Sequence, residues 1–186
     1  MAVVRFHLNE RKAAQAAAYL LKRHDGVYPY MSLIKLLYLA DRRALIETGW
    51  PITGDRLVSM PYGPVLSVVL DLIHYGPRGC SPWFEYVSEP EGYDVRVKSS
   101  CPEFDALSQY DRQLLDATDT QYGQLSKWAL VDLCHSLPEW KDPEGSSITI
   151  DPADILRVAD IPEEEILEMA RAAREHAHLA EFGLGP

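Results

Sequence analysis

Apolar residues fall into helical periods over most of this chain. Ala13, Ala16, Ala17, Leu20 and Leu21 share one face of a helix that Asn9 can cap, running from Glu10 to His24 and stopped by Asp25-Gly26. Met31 to Ala40 is apolar except for Ser32 and Lys35, which predicts a buried central helix capped by Ser32 and ended by Gly49 after Thr48. Leu57-Val58-Ser59-Met60 reads as a short extended piece. Pro64 suits the first turn of a third helix reaching Tyr75, with Val65, Val68, Val69, Leu72 and Ile73 inward. Trp83 to Val87 and Tyr93 to Val97 alternate around Pro90-Glu91-Gly92 and predict a β-hairpin. Two helices follow, Ser108 to Tyr122 and Ser126 to Ser136. After them come an extended Ile148-Thr149-Ile150, a short helix from Asp151-Pro152 to Ile161, and a last helix from Pro162 striped by Ile166, Met169, Ala170 and Ala173. The pattern predicts a mainly α fold, a compact helical domain of about six to seven helices with one small β-hairpin. Residues 1–186 read as one domain, with 142–186 a C-terminal helical extension.

Composition adds bounds. The 186 residues are 47% hydrophobic and 25% charged, an ordinary globular balance. The longest apolar stretches, Ala16 to Leu21 and Leu36 to Ala40, fall far short of the ~20 residues of a membrane span. No signal-like apolar segment opens the chain, so a cytoplasmic protein is expected. Three cysteines, Cys80, Cys101 and Cys134, without Cys-x-x-Cys spacing, argue against a disulfide framework. The net charge of −10 is uneven: Met1 to Thr48 carries eight basic against four acidic residues, and the rest of the chain is net acidic, −8 from Gly49 to Ile150 and −6 from Asp151 to Pro186. Such a chain repels nucleic acid at long range, although its basic end leaves a local contact open.

Candidate chemistry is sparse. No phosphate-binding glycine loop, His-Glu-x-x-His or Gly-x-Ser-x-Gly occurs. A metal site would need long-range convergence of Cys80, Cys101, Cys134 and His135, and a buried thiol is the simpler role for Cys134. Asp111, Asp116, Asp119 and Asp132 read as caps and solvated helix faces. No catalytic residue, metal site or cofactor is expected, and the chain reads as a non-enzyme.

Two stretches carry a resemblance. One is Leu33-Ile34-Lys35-Leu36-Leu37-Tyr38-Leu39-Ala40-Asp41, followed by Thr48-Gly49-Trp50-Pro51-Ile52 and Met60-Pro61-Tyr62-Gly63-Pro64-Val65. The other is Leu125-Ser126-Lys127-Trp128-Ala129-Leu130, then Cys134-His135 and Pro138-Glu139-Trp140-Lys141. In this order and spacing they resemble the Panacea domain of the SocA-like antitoxins, over roughly residues 10–141. Arg42-Arg43 departs from the bulky pair often found after the Lys-Leu-Leu-Tyr helix, and Pro61 from a lysine.

The resemblance implies a helical antitoxin that binds and neutralises a cognate protein toxin. Some members of the family do so directly, and SocA-like members act as adaptors to a Clp-type protease. A DNA-binding regulator, a phage- or prophage-encoded interaction protein and a hydrolase are the alternatives. Lys35, Tyr38, Tyr62, Gly63, Pro64, Trp128 and Trp140 read as a structural motif in which Gly63 takes unusual φ, Pro64 starts a helix, and the two tryptophans pack in the core or at its rim. Trp50 and Tyr62, with Arg42, Arg43 and Arg56 as a rim, are the first candidates for a partner-binding surface.

Overall fold

The computed structural model of the chain describes residues 3–76, 79–100 and 103–181. Cys101 and Arg78 lie outside the described residues. The central element is α2 (Tyr30–Thr48), whose first ten residues are almost wholly covered by its neighbours, including Leu33, Ile34, Leu36, Leu37 and Tyr38. Around it pack α1 (Glu10–Arg23), α5 (Gln109–Tyr122), α6 (Lys127–His135) and α7 (Pro152–Val158). The alanine face of α1 lets its backbone come close, and Ala13, Ala14, Ala16, Ala17 and Ala18 are fully buried. The Asn9 cap read from the sequence is in place, and three further helix starts are capped. Asn9, Ser108, Ser126 and Asp151 each accept a backbone N–H at the start of α1, α5, α6 and α7, and Asp111 completes a capping box on α5. The last helix, α8 (Glu163–Glu181), buries Ile166, Ala170 and Ala173 and lays Met169 against Gly49 at the end of α2.

The fold is mainly α, as expected, with eight helices among the described residues rather than six to seven; the strands at Leu57–Met60, Asp94–Arg96 and Ile148–Thr149 fall where extended segments are read from the sequence, and those at Val27–Pro29 and Gly63–Leu66 do not. α3 (Ser67–Tyr75) begins three residues later than the proline suggests. Gly63–Leu66 is strand β3, paired with β2 (Leu57–Met60) across a two-residue turn at Pro61-Tyr62. β5 (Ile148–Thr149) joins the other side of β2. Pro64 therefore sits in an edge strand opposite Ser59, where a missing N–H costs nothing. The α3 start is served instead by Asp55, which accepts from the N–H groups of Val68 at 3.1 Å and Val69 at 2.9 Å.

Ser32 is likewise no cap. β1 (Val27–Pro29) runs straight into α2, Tyr30 N–H donates to the Tyr93 carbonyl at 2.9 Å, and Ser32 is buried inside the first turn. The hairpin over Trp83 to Val97 is also replaced. Trp83–Tyr86 is a single helical turn, α4, and β4 (Asp94–Arg96) pairs with β1. Only the isolated bridges Val87–Val97 and Glu91–Asp94 remain of it. Burial of Trp83 and Tyr86 with Glu85 exposed is a helical period, which a five-residue segment does not distinguish from alternation. No helix among the described residues is long and apolar enough to cross a membrane.

Candidate functional site

The two family-like stretches meet beneath the β2–β3 turn. Gly63 takes φ +91°, and its Cα faces the Cys134 side chain and the Lys35 ammonium. Lys35 is buried, and its Nζ donates to the Pro64 carbonyl at 2.8 Å. Trp140 Nε1 donates to the Met60 carbonyl at 3.1 Å, and His135, stacked on Trp140 at 4.1 Å, places Nε2 3.0 Å from the Pro61 carbonyl. One lysine, one histidine and one tryptophan thus hold three backbone carbonyls of this one turn, those of Pro64, Pro61 and Met60, and the tip they hold out carries Tyr62.

Burial pushes the Lys35 ammonium down to about 8 and the Cys134 thiol up to about 11. The unfolded chain therefore holds the Lys35 proton more tightly than the native one. This penalty is fully present below pH 8 and fades up to the ordinary lysine value of 10.5, so stability rises with pH across that window. Cys134 acts in the opposite sense above pH 9. Lys35→Met keeps the stem and removes the charge, so the wild-type-minus-variant stability should climb by about 3 kcal/mol between pH 8 and 10.5. Urea midpoints at three pH values check this, and a flat difference would contradict it.

A second buried set ties α2 to the segment after α6. Tyr38 Oη and Arg42 Nε donate to Glu139 Oε1 at 2.9 and 2.7 Å, and Arg42 Nη2 reaches Oε2 at 3.3 Å. The partly buried Arg42 is thus engaged with the core. Arg43 pairs with Glu47 at 2.6 Å, and Arg56 Nη2 donates to Ser67 Oγ at 2.8 Å. Three cations of the basic N-terminal part are also engaged internally: Arg11, Lys12 and Arg23 meet Asp105, Asp111 and Asp116/Asp119.

Trp50 and Tyr62 are not brought together. The Tyr62 turn sits over Lys35 near the start of α2, whereas Trp50 follows its end, so about 15 residues of helix, roughly 22 Å, separate them. Trp50 is wedged edge-on between Phe6 at 5.3 Å and His176 at 5.4 Å.

Tyr62 instead opens a continuous aromatic ridge. Its ring meets Trp128 edge-on at 6.0 Å. The Lys127 ammonium lies 5.1 Å from the Trp128 centroid and 5.4 Å from that of Tyr93, so it bridges the two rings. Tyr93 stacks on Tyr30 at 6.4 Å, and Tyr30 meets His74, which in turn meets Tyr75. Tyr62, Tyr75, Tyr93 and Trp128 are 55, 83, 72 and 53% exposed, values that leave Trp128, read as core or rim, outside the core. Rings this exposed and this contiguous are unusual on a surface without a partner. The tyrosines of the ridge come from α2, α3, the β2–β3 turn and the β4 approach, so no sequence window contains them.

No group of three or more candidate metal ligands occurs among the described residues. Asp41, buried in α2, accepts from Thr53 N at 3.0 Å and from Thr53 Oγ1, and burial raises its carboxyl to about 7.

A family model described as antitoxin SocA-like, Panacea domain, matches residues 33–141, more than half of the chain and all of the elements that build the β2–β3 turn and its supports. No curated protein and no solved structure matches.

Proposed function

Because this chain belongs to the SocA-like antitoxin family with a Panacea domain, we propose that it acts as an antitoxin that binds one cognate protein toxin and neutralises it by binding rather than by catalysis. The observation that carries this reading is the ridge of exposed Tyr62, Trp128, Tyr93 and Tyr75 around Lys127. Large rigid rings of this kind dominate interface energies.

The groups with strongly shifted protonation support the same reading. Lys35, Tyr38, Asp41 and Cys134 lie buried in the core around α2, where Pro64, Glu139 and Thr53 bind the first three, so packing and structural bonds account for their shifts. Internal ion pairs of Arg11, Lys12, Arg23, Arg42 and Arg43, five of the eight basic residues before Gly49, favour a protein partner over nucleic acid.

Co-expression with each neighbouring small gene tests the proposal. One neighbour should arrest growth alone, and this protein should restore growth and co-purify with it. If rescue disappears in a host lacking its Clp-type proteases, the protein works as an adaptor in the cytoplasm; if rescue persists, occlusion suffices. A toxic neighbour that is neither bound nor rescued would remove that pairing.

A further inference from the structure

On both helices that border the ridge, an exposed ring has an exposed carboxylate one turn away. On α3 it is Asp71 with Tyr75, and on α6 it is Trp128 with Asp132. Residues four apart on a helix are surface neighbours, so each ring and carboxylate form one patch. Neither the Asp71 nor the Asp132 carboxylate has a hydrogen-bond or ion-pair partner among the described residues. Meanwhile Lys127 rests over Trp128 and Tyr93, so these ring faces already hold a cation.

We propose that the ridge is the toxin-docking surface and that its occupant is a basic face of the toxin, whose arginines stack on Trp128 and Tyr75 while pairing with Asp132 and Asp71. This rests on the antitoxin reading. A guanidinium is planar, weakly hydrated and able both to stack on a ring and to pair bidentately with a carboxylate. A ring beside a carboxylate serves both of those demands at once. The two pairs sit at opposite ends of the ridge, linked by Lys127, Tyr93, Tyr30 and His74, and would fix a partner in one orientation. Net charge points the same way, since −10 on this chain steers a cationic partner toward it and the rim carboxylates repel a phosphate backbone.

The test takes the neighbouring protein that arrests growth and measures rescue and affinity with four variants of the full chain. Trp128→Ala with Tyr75→Ala should weaken binding about ten-fold or more. Asp71→Lys with Asp132→Lys should do the same and abolish the fall of affinity with salt. Lys127→Met should be neutral or tighten binding, because it vacates the ring faces. Trp50→Ala, at the far end of α2, should leave affinity unchanged. Unchanged melting of each variant confirms folding, as all the altered ridge side chains are exposed.

Full rescue by every ridge variant overturns the docking surface and leaves the antitoxin reading standing. Loss of binding on removing the rings, with no response to charge reversal and no salt dependence, overturns the basic partner. If no neighbour is toxic, or none is rescued by the wild type, the antitoxin reading falls and this proposal falls with it.

Discussion

Glu139→Ala is expected to destabilise the fold by about 3–5 kcal/mol, the range for breaking a buried ion pair from one side. The Glu139 carboxylate is fully covered and takes both the Arg42 guanidinium and the Tyr38 hydroxyl. Removing it leaves a mostly covered cation facing a cavity and a buried hydroxyl with no acceptor. Glu139→Gln keeps the shape and one acceptor, so it should cost about 1–3 kcal/mol. Arg42→Ala leaves the carboxylate buried with Tyr38 alone and should also be severe. The double variant should cost well below the sum of the two singles, since the second removal relieves the charge stranded by the first. Denaturant midpoints for the four proteins measure this. Additive losses would mean that Arg42 and Glu139 do not sense each other.

Gly63→Val should cost about 3 kcal/mol or more, from two independent terms. A φ of +91° is strained for a β-branched residue, worth about 1–3 kcal/mol. In addition, a Cβ at Gly63 would lie 3.0 Å from the Cys134 Cβ and 3.2 Å from Lys35 Nζ, and Lys35 is held by its bond to the Pro64 carbonyl. Gly92 is the control. Its φ is +65° and a Cβ there would meet nothing within 4 Å, so Gly92→Ala carries the backbone term alone, about 1 kcal/mol. Thermal melting of both variants separates packing from strain. Equal shifts would show that the space above Lys35 is slack. Since the turn holds Tyr62, the Gly63 variant should also weaken partner binding beyond its loss of stability.

Helices were the most legible part of this sequence, because a helix is a local object. The alanine face of α1 with its Asn9 cap, the apolar start of α2, and the helix starts at Ser108, Ser126 and Asp151 all announce themselves within a few residues. Pro64 misled because proline at a helix start and proline in an edge strand satisfy the same local rule, a missing donor that nothing needs. What decided between them is β2, whose residues Leu57 to Met60 pair with Gly63 to Leu66. Trp83 to Tyr86 is too short for its period to be read, and the strand partner of Asp94–Arg96 turned out to lie at Val27–Pro29, far away in sequence.

The same division applies to function. The ordered motifs around Lys35, Tyr62-Gly63-Pro64 and Trp140 pointed to the family, and the fold explains their company: lysine, glycine, proline and tryptophan converge on one turn. Tyr62 was a candidate from the sequence alone, and the turn does hold it out to solvent. Arg42 reads from the sequence as a rim residue and Trp128 as core or rim. Arginine is ordinarily a surface residue and tryptophan ordinarily a covered one, yet Glu139 draws the first into the core, while the start of α6 leaves the second exposed beside Tyr62. Periodicity along one helix specifies which face is apolar. Only the packing of other elements against that face specifies which apolar residues stay uncovered, and that depends on contacts between residues distant in the chain.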